Sequence, residues 1–561
     1  MASLAAGCAQ EDIDTAPSGG GGMSASSYVS LSFASQQSTP TRSNPTGGEQ
    51  GNGDETGQDY ENEIKSAVAF FYQGSGTDGV NSSGTTPIMA VATFNVGSYT
   101  EPGNGIDRTY TTTPQQVDLD DGTYNVLVVA NPGADWWTGQ SLTLADVRNH
   151  IQTTAWTASG SDYSDFVMTS AADATLTLNS NPESDPAKAT VNVERMAARL
   201  DYKAEASYTC TDPAYTGATV EITGAALVNN LTAGSYMLKR VASTVDGVPT
   251  YLGNETPDAG VQTNYVLDPW TAGKTSANNS FTIGGEANKT AKDLYGEWFG
   301  NISQDPNHWA AYVQPGTEMT VGTEKWQRIG YTLENTTAAE EAGKRYSTGV
   351  VFKAKFHPQG VANYQDGETF FAYGTKIYAS MEDMMAGFYG SEFADLDNIT
   401  SCATWGDVKQ FITSTLLTND PSGYNKYLEG LAEGKDDTEA VAGASLTWSN
   451  YMLNECGYSK DENGKVVLDQ NDKVTRIALK PYGTRTYEDA TCYYTWWVRH
   501  SNDNDDTKKG IMEYAIVRNN IYKLTVNSVY SLGGEVPEEE SLIVDVYVND
   551  WLLLDNETLP M

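Results

Sequence analysis

The apolar residues of this chain come in short packets separated by turn formers, and that spacing constrains the fold more than any other feature. Ala67-Val68-Ala69-Phe70-Phe71-Tyr72 is one packet, and Tyr124 to Ala130 is another, launched by the turn Asp121-Gly122. Phe166-Val167-Met168 and Val191-Asn192-Val193 continue the series. A second series runs through Arg199-Leu200-Asp201-Tyr202, Ala218 to Ile222, Val350 to Phe356, Phe370 to Tyr373, Tyr493 to Trp497 and Ile521 to Val526. Packets this short, rich in β-branched and aromatic residues, are strands. Many short strands with frequent turns predict a mostly β protein of two β-sandwich domains, with long loops and a few short helices. The helices are expected at Leu144–Ile151, Met381–Phe388 and Val408–Leu417. Thr143 and Asp146 form a capping-box pattern ahead of the first, with an acid in place of the amide.

The 561 residues supply enough material for such cores, since domains run to about 100–200 residues. Lys and Arg number 34 against 73 Asp and Glu, for a formal net charge of −39 and a pI near 4.3. That surface repels a phosphate backbone, which argues against nucleic acid, and it offers no polybasic grip on anionic lipid. Disorder is excluded by content: 39% of residues are hydrophobic, with 33 Tyr and 12 Trp. No apolar run reaches the ~18 residues of a membrane-spanning helix.

Both ends of the chain are distinctive. Small residues precede a lone Cys8 in Leu4-Ala5-Ala6-Gly7-Cys8, which resembles the lipobox of a bacterial lipoprotein signal peptide. The segment lacks the basic region and long apolar run of a full signal, and the plainer reading is a short tail with a chance Cys. A Gly-rich tether over 17–24 leads into Val29-Ser30-Leu31-Ser32-Phe33-Ala34, a period-two strand with Val29, Leu31 and Phe33 on its buried side. A polar linker over 36–59 follows, in which Arg42, before Ser43, is the one basic residue. A solitary Arg in an exposed linker is a preferred site for a trypsin-like protease, or else an ordinary linker residue. At the other end, Gly533-Gly534 and Pro537 to Glu540 precede Leu542-Ile543-Val544-Asp545-Val546-Tyr547-Val548, with Leu542, Val544, Val546 and Val548 on one face and Trp551 close behind. So β-prone a strand at a chain end either completes its own sheet or is received by another molecule.

Catalytic and metal-binding patterns are absent. His150, His308, His357 and His500 lie far apart with no zinc spacing, and Cys210, Cys402, Cys456 and Cys492 form no CxxC pair. Pairing of these four cysteines in disulfides is left open. There is no nucleophile elbow, Walker loop or dinucleotide fingerprint. Asp503-Asn504-Asp505-Asp506 lacks the spacing of a calcium loop, so it reads as a solvated turn. No enzyme activity, cofactor or metal is expected. Trp136-Trp137 and Trp496-Trp497 read as sandwich core, with an exposed saccharide platform as the alternative.

The run Glu513 to Val526, containing Arg518-Asn519-Asn520-Ile521-Tyr522, resembles the "Arg-Asn-Asn-x-Tyr" strand of Bacteroidales type V fimbrillins. Val544-Asp545-Val546-Tyr547-Val548-Asn549-Asp550-Trp551 resembles their terminal strand, and is most similar to major subunits of the short-fimbria branch. Phe352 to Pro358, Tyr493 to Trp496 and the joining strand Val193-Glu194-Arg195-Met196-Ala197-Ala198-Arg199 match as well, while 210–345 and 375–490 align poorly.

The resemblance implies transthyretin-like sandwiches and a division into a lipoprotein remnant and tether (1–24), a removable first strand and cleavage loop (25–42), an amino-terminal sandwich (43–193), a carboxy-terminal sandwich with insertions (194–540) and a donor segment (541–561). It implies lipidation at Cys8 (palmitate among the acyl groups), cleavage between Arg42 and Ser43, loss of Val29–Ala34, and donation of Leu542, Val544, Val546, Val548 and Trp551 to a groove on another copy. The implied partners are the self-polymer, anchor and tip subunits, the processing protease and host or bacterial surface ligands. The place is a cell-surface fimbrium, reached through an outer-membrane lipidated precursor. The other expectations are an accessory or tip adhesin of the same fimbria and a surface glycan-binding lipoprotein.

Overall fold

A computed structural model of the chain describes residues 26–35, 54–74, 85–100, 109–133, 135–152, 165–242, 265–267, 280–283, 286–290, 299–300, 316–321, 323–335, 347–380, 383–384, 484–500, 513–535 and 542–552. Among these the protein is mostly β, and the expected packets are strands: Ser66–Tyr72, Gly122–Ala130, Ala187–Arg195, Ala197–Lys203, Thr219–Val228, Gly349–His357, Phe370–Tyr373, Thr491–Trp497 and Asn520–Val529. The packet at 166–168 is displaced, with the strand at Met168–Ser170. The first expected helix is shorter, Leu144–Arg148, because Asn149 caps it and Ile151 turns away to bridge Tyr236. Its capping box is present: Asp146 N–H donates to Thr143 Oγ1 at 3.3 Å and Thr143 N–H donates to the Asp146 carboxylate at 2.8 Å. The helix expected at 408–417, and all but two residues of that at 381–388, lie outside the described residues.

The amino-terminal sheet has nine strands and closes on itself. Neighbours run Ala187–Arg195, Met168–Ser170, Gly122–Ala130, Ser66–Tyr72, Ala90–Thr100, Thr109–Thr112, Ser27–Ser35, and Ser27–Ser35 then pairs back to Ala187–Arg195. That closing contact, Val29↔Ala187 through Ser35↔Val193, is the one parallel pairing in this sheet among the described residues. Gln115–Val117 pairs with the early part of the first strand, and Ala174–Leu178 with Gly122–Ala130. The interior is filled by Val29, Leu31, Phe33, Ala69, Phe71, Phe94, Val126, Val128, Leu176 and Val191, all buried.

The carboxy-terminal part is a sandwich. A six-stranded sheet orders Asp54–Thr56, Leu542–Leu552, Asn520–Val529, Ala197–Lys203, Glu324–Leu333 and Thr317–Val321. Opposite it stands a four-stranded sheet of Tyr208–Thr209, Thr219–Val228, Gly349–His357 and Thr491–Trp497. Leu200, Tyr202, Tyr522, Leu524, Val526 and Val544 from the first meet Val220, Leu227, Val350, Phe352, Phe356 and Tyr494 from the second in one core. The period of two decides what each strand shows its other face. Residues 197, 199 and 201, and 521 and 523, point away from the sandwich core, and there Ala197 and Ile521 join the amino-terminal core with Tyr331 and Leu333. The chain passes from one sheet to the other at Met196, between Arg195 and Ala197.

The aromatic pairs take the core role. Trp137 is buried, and Trp136 is stacked on Phe70 at 5.4 Å and on His150 at 3.7 Å. Trp497 packs against the outer cluster of Ala226, Val228 and Val351. Cys210 and Cys492 are buried thiols in the sandwich core, and burial pushes Cys210 up to about 11.

Candidate assembly site

The first strand is broader and more enclosed than its sequence indicates. It spans Ser27–Ser35, and Val29, Leu31 and Phe33 have no exposure. On the opposite face, read as solvent-facing, Ser30 is buried and Tyr28, Ser32 and Ala34 are half-buried, while Ser27 extends the buried row of Val29, Leu31 and Phe33. The correction has a chemical cause, since small hydroxyl residues are buried without loss when they are hydrogen-bonded. Ser30 Oγ donates to Thr112 O at 3.0 Å, and Leu31 N–H donates to Thr112 Oγ1 at 3.0 Å. Asn181 N–H donates to Ser27 Oγ at 3.1 Å.

At the other end, the terminal strand Leu542–Leu552 pairs antiparallel with Asn520–Val529, from Val529↔Leu542 through Leu524↔Val546 and Tyr522↔Val548 to Asn520↔Asp550. In this chain it therefore completes its own sheet, with Val544 buried in the sandwich core. Along its outer edge, Asp54–Thr56 pairs parallel with Asp550, Trp551 and Leu552. Cys8, Arg42 and Ser43 lie outside the described residues, as do His308, Cys402, Cys456 and the acidic run 503–506. The two strands identified from sequence are in different sheets and do not pair with each other.

Between them lies a buried charge cluster that sequence reasoning did not assign. Arg199, on the second face of the six-stranded sheet, bonds Asp201 through Nε and Nη2 at 3.1 and 2.9 Å, Glu61 through Nη1 at 3.0 Å, and Glu55. Lys523 Nζ sits 2.5 Å from Glu55 Oε2 and 4.3 Å from the centre of the Trp326 ring. Arg195 Nε donates to Glu61 O at 2.9 Å, and the same guanidinium reaches Asn62 and, at 3.1 Å, Asn519 Oδ1. Tyr331 donates to Glu61, and Tyr60 and Arg328 extend the chain of bonds outward. Glu61 also caps its own short helix Asp59–Asn62 by accepting from Gln58 N–H at 2.7 Å.

The electrostatics follow from burial and neighbours. Burial works against the Arg199 charge, but Asp201, Glu61 and Glu55 outweigh it and hold the guanidinium firmly protonated. Burial lowers Arg195, opposed by Glu61. Burial pushes Asp201 up to about 6 against the pull of Arg199. Buried groups of this kind hold a unique arrangement rather than add much stability, and removing one partner strands the others. Their sequence signal was two arginines four residues apart inside an apolar stretch, Arg195 and Arg199, and an Arg heading the strand at 518.

The Arg518 motif is a second buried knot. Arg518 donates to Glu334 at 3.0 Å, to Met237 O at 2.7 Å and to Tyr236 O at 2.6 Å. Asn519 adopts the left-handed conformation (φ 57°), tolerated by Asn, and so aims its Oδ1 at Arg195. The Tyr522 hydroxyl oxygen accepts from Val517 N–H at 2.8 Å and lies 2.9 Å from His500 Nδ1. Arg518, Asn519, Tyr522 and His500 fall within a recognisable family segment: residues 485–557 match the family described as "Major fimbrial subunit protein type IV, Fimbrillin, C-terminal". The carboxy-terminal segment of this chain is similar to the carboxy-terminal region of fimbrillins.

Solved structures similar to the chain carry the same kind of description. One described as a cell adhesion protein from Parabacteroides distasonis is 12% identical, with 94% of this chain and 100% of that chain covered and a TM-score of 0.38. The tip fimbrial protein Mfa3 from Porphyromonas gingivalis is 9% identical, covering 94% and 100%, with a TM-score of 0.32. A fimbrilin, FimA, from Porphyromonas gingivalis is 14% identical, covering 94% and 98%, with a TM-score of 0.31. No curated protein sequence matches the chain. In the matched segment, Thr491–Trp497, Asn520–Val529 and Leu542–Leu552 are the strands that carry the motifs, and Arg518 and Asn519 are the residues that tie it to the rest.

Proposed function

We propose that this chain is a structural subunit of the fimbrial shaft, of the short-fimbria type, supporting adhesion. In this reading the precursor travels to the outer membrane lipidated at Cys8, is cut between Arg42 and Ser43 by a trypsin-like protease, and joins other copies by strand exchange. The strand bearing Val29, Leu31 and Phe33 leaves, and the strand bearing Leu542, Val544, Val546, Val548 and Trp551 of another copy takes its place. The amino-terminal and carboxy-terminal sandwiches would be two domains meeting at Met196, with anchor and tip subunits at the filament ends and a host or bacterial surface ligand as the target.

One observation carries the reading: the first strand closes the nine-stranded sheet, bonded on one edge to Ala187–Arg195 and on the other to Thr109–Thr112 and Gln115–Val117. Its loss leaves two edges and three apolar pockets that only another alternating strand can fill, by main-chain bonds and side chains at every second position. Filling three such pockets contributes about 4.5–9 kcal/mol before ordering costs and the cost of withdrawing the lent strand from its own sheet. Lending and receiving use different surfaces, so the contact repeats head to tail and builds a filament.

Amino-terminal sequencing of cell-surface polymer tests this directly, with Ser43 as the expected first residue. Filaments assembling undiminished from Arg42→Ala protein, with an uncut amino terminus, would overturn the processing step. Purified protein that stays monomeric after cleavage would instead favour a tip or accessory subunit.

A further inference from the structure

The second face of the six-stranded sheet binds a segment of this chain that no motif singled out. Residues 54–62 run from its edge onto that face, anchored at two points. Near the terminal strand, Asp54–Thr56 forms a parallel ladder with Asp550, Trp551 and Leu552. The buried Glu55 carboxylate takes Lys523 and Arg199, which stand on the two strands immediately inside the terminal strand. Farther along, Glu61 holds Arg199 at 3.0 Å and accepts from Tyr331, while Asn62 and the Glu61 carbonyl are gripped by Arg195. Glu55 and Glu61 are 8% and 0% exposed, so this is a built receptor for an acidic segment and not a surface ion pair.

We infer that residues 54–62 act as a clasp that keeps the terminal strand in its own sheet, and that cutting the loop ahead of them loosens it. Two facts of connectivity lead there. The clasp is the strand partner on the terminal strand's outer edge among the described residues. It also follows Ser35 by a short stretch of chain that contains Arg42. In the uncut chain the clasp is tethered on both sides, by the first strand and by Ser66–Tyr72; after a cut at Arg42 it is tethered on one. Losing one tether raises the entropy gained on detachment, as opening a closed loop does. A single cut then does two things: it severs the first strand from the body, and it frees the clasp to leave the strand that would be lent. The role in polymerisation rests on the shaft reading above; the clasp itself does not.

Hydrogen exchange read by mass spectrometry on the full chain tests the clasp, with peptides from 542–552, 66–72 and 124–130 followed together. In Glu55→Gln, exchange in 542–552 rises by about tenfold or more while 66–72 and 124–130 keep their protection. Unchanged exchange in 542–552 would overturn the proposal. Where Glu55→Gln loses protection everywhere, the wild-type chain decides: protein cut after Arg42 exchanges faster in 542–552 than uncut protein, and equal rates would overturn the coupling. Electron microscopy of the same samples reports polymer separately. Faster exchange without filaments leaves the clasp standing and the shaft reading refuted; filaments with unchanged exchange do the reverse.

Discussion

At the residue scale, the least replaceable side chains are buried cations. Arg518 is fully buried and delivers bonds to Glu334, Tyr236 O and Met237 O that diverge from one planar fork. Lysine is a point charge on a flexible stem and cannot serve these three directions. Arg518→Lys is expected to lose about 3–5 kcal/mol of stability, read as a lower urea midpoint. The Arg-Asn-Asn-x-Tyr motif was legible as a family resemblance, but its reason was not. Asn519 is there because a left-handed residue must turn an amide toward Arg195, which lies far away in sequence.

His150 supplies a pH dependence. Burial against Trp136 lowers it to about 4, so the folded protein keeps the ring neutral. Between about pH 6.5 and 4 the unfolded chain binds a proton there that the folded chain does not, so stability falls as pH drops through that window. The contribution is on the order of 2–3 kcal/mol. Comparing unfolding free energies at pH 7 and 4.5, His150→Phe should lose less than wild type over the interval; equal losses would refute the assignment.

At the scale of elements, alternation identified most strands because it reflects which face is buried. It failed where both faces are covered or neither is richly apolar. The first strand was read as one-sided, whereas hydrogen bonds to Thr112 let Ser30 be buried as well. Ala90–Thr100 escaped notice because its apolar residues are mostly small, and among its described side chains Phe94 is the one large residue fully buried. Glu324–Leu333 begins polar and, apart from the buried Trp326, is buried only from Gly330 onward. Phe33→Ala is expected to cost the precursor about 3–5 kcal/mol. Thermal unfolding of the intact chain measures it. In protein from which residues 1–42 have been removed the same position is gone, so assembled polymer made by way of the variant should match wild type.

At the scale of the molecule, charge sets behaviour in bulk. The net charge of −39 changes only to −37 if residues 1–42 leave, since they carry Glu11, Asp12, Asp14 and Arg42. Cut and uncut chains should therefore share a solubility minimum near pH 4.3, checked by turbidity against pH. In the proposed polymer, like charge on every copy leaves attachment between subunits to apolar and main-chain contacts rather than ion pairs.

Read alone, the sequence determined the β class, the strands with clear alternation, the capping box at Thr143 and the strand character of both chain ends. These are local properties: a period of two, a turn residue or a cap is written in neighbouring positions. Which strand closes the first sheet, and that Arg195, Arg199 and Lys523 converge on Glu55 and Glu61, was decided by the tertiary structure. Those groups come from opposite ends of the chain, and a buried charge is tolerable only where a distant partner arrives to meet it. No local pattern records that arrival.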